Sequence, residues 1–160
     1  MPKLIILRGN SGSGKTTVSK ILQEKFGRNT MLIAHDMVRR QILYAKDIEA
    51  LPLIMQLLKY GRQNSDITIL EGILPTEAYM PLFELAVQEY GKAIFAFYYD
   101  LPFEETLQRH ATKPNKADFG ELDMRRWWKE KDFIRIIPEK IITKDISVSE
   151  TAAMIFNLVS

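Results

Sequence analysis

Gly9, Asn10, Ser11, Gly12, Ser13, Gly14, Lys15 and Thr16 fit the spacing G-x-x-x-x-G-K-[ST]. At ordinary residue frequencies, roughly 0.005 such matches arise by chance in a chain of this length. Glycines let a backbone wrap closely, so that its N–H groups point inward at anionic oxygens. A helix N-terminus adds partial positive charge at the same place. Lys15 is expected to reach the β- and γ-phosphates of a nucleoside triphosphate, and Thr16 to place its hydroxyl on Mg2+. Thr17 completes this nucleotide-binding set. A glycine turn that binds nothing would not need loop, lysine, hydroxyl and flanks to agree.

Two carboxylates come next. Asp36 follows the apolar run Met31-Leu32-Ile33-Ala34, and Glu71 follows Ile67-Thr68-Ile69-Leu70. In open parallel sheets, ligands lie beyond the carboxyl ends of the strands, so both acids are site candidates by position. Glu71 stands where an acid can orient Mg2+ and face the substrate. Each acid also has a purely structural reading. Asp36 can cap a helix beginning at Met37-Val38, and Glu71 can cap the segment after it. Arg39 and Arg40 lie one turn beyond Asp36, and one of them is expected to face the cleft and meet the acceptor.

A third group of candidates lies at 109–126, where basic side chains dominate and apolar periodicity fades. Arg109, His110, Lys113, Lys116, Arg125 and Arg126 belong to it. Such a segment suits a lid over the phosphates, with Arg125 or Arg126 stabilising charge on the transferring phosphoryl group. A solvated loop is the alternative. Trp127 and Trp128 follow, and adjacent positions on a helix point about 100° apart. One is expected to pack while the other lines an acceptor pocket, with Trp128 the candidate for the pocket. Asn115-Lys116-Ala117-Asp118 matches the N-K-x-D guanine-reading signature, but it follows no buried strand and reads as chance.

The elements that must position these residues are legible from periodicity. Leu4-Ile5-Ile6-Leu7 reads as a buried strand before the glycine loop. Val18, Ile21, Leu22 and Phe26 give the next helix one apolar face, and Gly27 with Asn29 ends it. Further strands are expected at 31–34, 67–70, 93–99 and 140–143. Helices are expected at 47–60, with a kink or restart near Pro52, then at 75–90, after Pro102, and at the end. Ser147 with Glu150 forms a capping-box pattern for the last helix. Strands alternating with helices predict a three-layer α/β/α fold on a parallel five-stranded sheet, in one domain spanning 1–160.

Composition narrows the function. The chain has no Cys, which excludes a disulfide framework and a thiolate nucleophile and fits a reducing, cytoplasmic setting. Twenty-two basic against 20 acidic residues give a net charge of +2, too balanced for an extended nucleic-acid track. No stretch is long enough for a membrane span, and the apolar run before Arg8 is too short for a secretory signal. His35 and His110 form no metal pattern.

With the glycine loop, Asp36 ending the second strand and Arg109 before a basic lid, the chain resembles the small P-loop kinases. It looks closest to the branch containing polynucleotide 5′-kinase, chloramphenicol phosphotransferase and the zeta toxins. The resemblance implies transfer of the γ-phosphoryl of ATP, with Mg2+, to a hydroxyl of a small molecule or nucleotide-type acceptor. It implies that Asp36 accepts the hydroxyl proton, that Arg39 contacts the acceptor, and that Arg109 lies near the nucleotide base. Family members usually carry a second lid Arg; Lys113 holds that place here, and the role passes to Arg125 or Arg126. Arg109-His110-Ala111-Thr112-Lys113-Pro114, Phe119-Gly120 and Met124-Arg125 are also similar to bacterial kinase-like proteins of undefined substrate.

Overall fold

The computed structural model describes residues 1–112 and 119–160. Lys113 and the Asn115-Lys116-Ala117-Asp118 match fall outside the described residues. The strands β1 (Lys3–Gly9), β2 (Met31–Ala34), β3 (Ile67–Gly72), β4 (Ile94–Tyr99) and β5 (Glu139–Ile142) form one sheet in the order β2-β3-β1-β4-β5. Every pairing is parallel. The expected five-stranded parallel sheet is therefore present.

Alternation along β1 sorts its side chains to two faces. Leu4 and Ile6 join Ile54, Leu58, Leu82 and Phe83 from α3 (Asp47–Asn64) and α4 (Thr76–Tyr90). Ile5 and Leu7 join Val18, Leu22, Ala152 and Ile155 from α1 (Lys15–Phe26) and α7 (Val148–Val159). Helices thus cover both faces, which is why the central strands are apolar along their length.

One local expectation changes. Helix α3 runs unbroken through Pro52, with Ala50, Ile54, Leu58 and Gly61 buried along it. Pro52 lies in its second turn, so the missing N–H forfeits one bond while the buried face holds the helix together. The Ser147–Glu150 capping box forms as expected: Glu150 N donates to Ser147 Oγ at 3.1 Å and Ser147 N to Glu150 Oε1 at 3.0 Å.

Arg8 has a larger role than its place at the end of an apolar run suggests. Its side chain is fully buried. Its guanidinium donates to Leu74 O, to Asp132 Oδ2 at 3.0 Å and to Glu139 Oε2 at 2.9 Å. Asp132 in turn accepts from Thr76 N and Oγ1 at the start of α4. One buried cation thereby ties β1 to the turn after β3 and to the segment leading into β5. Burial pushes the Glu139 carboxyl above its ordinary range, against the pull of Arg8.

Candidate active site

Strand register brings the candidate residues to one edge of the sheet. Leu7 pairs with Glu71, Ala34 also pairs with Glu71, and Gly9 pairs with Tyr99. The glycine loop therefore leaves β1 between the ends of β3 and β4, with β2 one strand further out. At Gly12, φ is +85° and a Cβ would come 2.5 Å from Thr106 O, so only glycine fits without strain. Lys15 opens α1 and is buried, with Nζ donating to Asn10 O at 3.0 Å. The Ser13 hydroxyl donates to the same carbonyl. Arg109, on α5 (Phe103–Ala111), braces the loop: Nη1 donates to Ser13 O at 2.7 Å and Nε to Glu105 Oε2 at 2.9 Å.

Thr16 Oγ1 donates to Glu71 Oε2 at 2.8 Å, and Glu71 is only 2% exposed. A hydroxyl and a carboxylate in contact at the mouth of an anion-binding loop are hard oxygen donors of the kind Mg2+ takes. Among the described residues no group of three or more His, Cys, Asp or Glu could hold a metal by itself.

Asp36 lies within α2 (His35–Met37), which runs into a π-helical turn at Val38–Ile42. It is not the N-cap: that position is Ala34, with no side-chain cap bond. Asp36 is instead held by arginines, from Arg40 Nε at 2.9 Å and Arg39 Nη2 at 3.7 Å, both on Oδ1. The wider π turn shifts the angular phase of the residues after Asp36, a geometry often met at functional sites. Beside Asp36, the buried His35 bonds Asp47 Oδ1 at 2.9 Å, and the Tyr79 hydroxyl donates to the same oxygen at 2.8 Å. The His35 bond, followed by the Tyr79 bond, holds the Asp47 carboxyl below its usual range despite its partial burial. Burial raises the Tyr79 hydroxyl well above its ordinary value, and the bond to Asp47 adds to it.

These groups meet in one cavity of about 290 Å³. Ser11, Gly12, Lys15 and Thr16 line it from the loop, Glu71 from the end of β3, and Asp36, Arg39 and Arg40 from α2 and the π-helical turn. Arg126 and Trp127 reach it from α6 (Glu121–Trp127). Gly9, Asn10, Ser13 and Gly14 complete the loop behind that lining, whereas Thr17 is exposed on α1 and is not among the lining residues. The Asp36 side chain is 62% exposed, yet it faces the cavity rather than lying remote from the loop.

Two sequence candidates sit elsewhere. Trp127 lines the cavity, while Trp128 turns away, its ring edge-on to Phe103 at 5.3 Å and its Nε1 donating to Glu130. The helix ends between them, because Trp128 takes an extended backbone. Arg125 pairs with Glu121 at 2.9 Å and lies 4.3 Å from the Phe103 ring centre, off the lining; Arg126 reaches the cavity and pairs with Asp123. Sequence reasoning passed over His35 as a site residue, and Asp47 and Lys129 altogether, though all three line the cavity. His35 carried a signal, being the buried neighbour of a candidate acid; Asp47 and Lys129 read as ordinary surface charges.

Comparisons with known proteins bear on the fold. Residues 1–68, which include the loop, Asp36, Arg39 and Arg40, match the family model described as zeta toxin. The APS kinase of Mycobacterium tuberculosis, solved with AMPPNP and APS, is 19% identical, with TM-score 0.71 over 99% of this chain and 97% of that one. The tunicamycin resistance protein of Deinococcus radiodurans is 17% identical, with TM-score 0.66 over 100% and 96%. Shikimate kinase from Acinetobacter baumannii, solved with shikimate, is 20% identical, with TM-score 0.63 over 99% and 93%. No curated protein sequence matches the chain. The chain has the fold of the P-loop kinases. No helix among the described residues is long and apolar enough to cross a membrane.

Proposed function

We propose that the chain transfers the γ-phosphoryl group of ATP to a hydroxyl of a small-molecule or nucleotide-type acceptor. The observation that carries this reading is that Lys15, the Thr16–Glu71 pair and Asp36 face a single cavity. Neighbours of this fold include kinases solved with APS and with shikimate, which supports a small acceptor.

The acceptor oxygen attacks the γ-phosphorus, the bond from that phosphorus to the ADP oxygen breaks, and the hydroxyl proton passes to Asp36. Both arginine contacts fall on Asp36 Oδ1, which leaves Oδ2 for the hydroxyl. Lys15 and Arg126 are the cations suited to charge on the phosphoryl oxygens, and Arg39 with Arg40 and Trp127 to the acceptor. Thr16 and Glu71 would hold Mg2+, which there screens the phosphate charge. Arg109, braced on Ser13 O, is suited to the nucleotide side.

The test is incubation of γ-labelled ATP with a panel of hydroxyl compounds. Label on an organic acceptor, lost in Lys15→Ala, supports the reading. Label released only to water favours a slow ATPase or a regulatory nucleotide-binding module. The family match over residues 1–68 favours one narrower reading, a zeta-like toxin. Growth arrest on expression that requires Lys15 supports that version, and harmless expression argues against it.

A further inference from the structure

Asp47 opens α3 and lines the same cavity as Asp36, yet the transfer described above gives it no part. Its carboxylate is engaged on one side only. Oδ1 bonds His35 Nε2 at 2.9 Å and accepts from the Tyr79 hydroxyl at 2.8 Å, and Arg39 Nε lies 3.8 Å from the same atom. Among the described residues, no hydrogen bond or ion pair falls on Oδ2. His35 and Tyr79 are both buried, so the two groups that hold Oδ1 are themselves fixed. The His35 bond keeps the carboxyl below its usual range, and an ionised carboxylate only accepts hydrogen bonds.

Asp36 repeats the pattern, with Arg40 Nε and Arg39 Nη2 both on its Oδ1. Arg39 thus reaches both acids, Nη2 toward Asp36 and Nε toward Asp47, and donates to Ala45 O as well. Two half-engaged carboxylates stand within the span of one guanidinium and open on one cavity. A molecule that gives its reacting hydroxyl to Asp36 has the second acid within reach. An apolar group set against that oxygen would strip it of water and return no bond. An O–H or N–H would replace the bond that water made. A prop for His35 would need Oδ1 alone.

We propose that Asp47 sets acceptor specificity by binding a second donor group, so that the substrate is an alcohol carrying a further hydroxyl or amino group. This rests on the phosphotransferase reading above and adds the chemical class of its acceptor. Asp36 takes the hydroxyl that reacts, and Asp47 takes the donor that does not. The division follows from the elements: Asp36 sits on the exposed side of α2, while Asp47 is held from behind by two buried side chains.

The experiment offers the full chain γ-labelled ATP with cyclohexanol, the three positional isomers of cyclohexanediol, and aminocyclohexanol. The same comparison, with and without the second donor, is made for every other compound that the wild-type chain labels. Wild type is expected to favour the compound with the second donor by about tenfold in kcat/KM, mainly through KM. Asp47→Ala is expected to bring the paired compounds within about twofold of each other, whatever it does to the overall rate. Tyr79→Phe, which removes a bond to Oδ1 but keeps the carboxylate, is expected to retain the preference. Where Asp47→Ala fails to fold, Asp47→Asn keeps the shape, and the preference is expected to fall about threefold as a charge-assisted bond becomes a neutral one. No preference in wild type, or full preference in the Asp47 variant, overturns the assignment; equal slowing of all acceptors would make Asp47 a prop for His35. Label on no organic compound overturns this inference together with the reading it rests on.

Discussion

His35 Nε2 lies 2.9 Å from Asp47 Oδ1, and this contact ties the residue before Asp36 to the first turn of α3. The Tyr79 ring stands edge-on to the imidazole, with centroids 5.0 Å apart, and its hydroxyl shares the same carboxylate oxygen. Asp36 itself is exposed, so its position is inherited from the packed neighbour behind it. The position of Asp36 on this side is set by His35, Asp47 and Tyr79 packed behind it.

Asp47→Ala leaves His35 and the Tyr79 hydroxyl without their partner. The expected cost is about 1–2 kcal/mol in urea denaturation, at the low end for buried polar groups because Asp47 is itself 37% exposed. The pH dependence has a definite sign. A carboxyl held below its ordinary 3.8 in the fold stabilises fully above that value, and the contribution is lost as pH falls through the lower folded value. Asp47→Asn should therefore flatten the acid side of the stability profile below about pH 4.

Gly72→Ala tests the seat of the imidazole. A Cβ there would lie 2.5 Å from His35 Cβ, and neither strand β3 nor the buried His35 can give way cheaply. The expected loss is about 1–3 kcal/mol, read from the denaturation midpoint. A neutral effect would mean that the β2–β3 edge relaxes more freely than its packing implies.

Glu71→Gln removes the carboxylate beside the Thr16 hydroxyl and keeps the shape. ATP affinity measured against Mg2+ concentration should need about 10- to 100-fold more metal, while metal-free binding changes little. An unchanged Mg2+ requirement would remove Glu71 from the metal site.

Arg8→Met should cost about 3–5 kcal/mol, because it strands the nearly buried Glu139 and takes one partner from Asp132. Thermal denaturation reads this directly. A loss below about 1 kcal/mol would show that water reaches the pair.

The glycine loop was legible because its chemistry is written in one unbroken stretch. The places of Asp36 and Glu71 on the cavity were legible because Glu71 closes an apolar strand and Asp36 follows one, and a parallel sheet carries strand ends to one edge. The choice between Trp127 and Trp128 was not, since it depends on where the helix stops. Lys129 could not be read either: its partner Asn10 lies 119 positions away, and no local pattern encodes that contact. Arg8 hid for a related reason. A cation after an apolar run reads as a solvated end, and only folding brings Leu74, Asp132 and Glu139 around it.

The central claim is that Asp36 takes the proton of an acceptor alcohol. Its most direct test is phosphoryl transfer by Asp36→Asn, measured with γ-labelled ATP and any acceptor that the wild-type chain labels, beside calorimetric ATP affinity. The expected result is ATP binding within about twofold of wild type and transfer reduced by about 10²- to 10⁴-fold. Transfer at the wild-type rate would contradict the account.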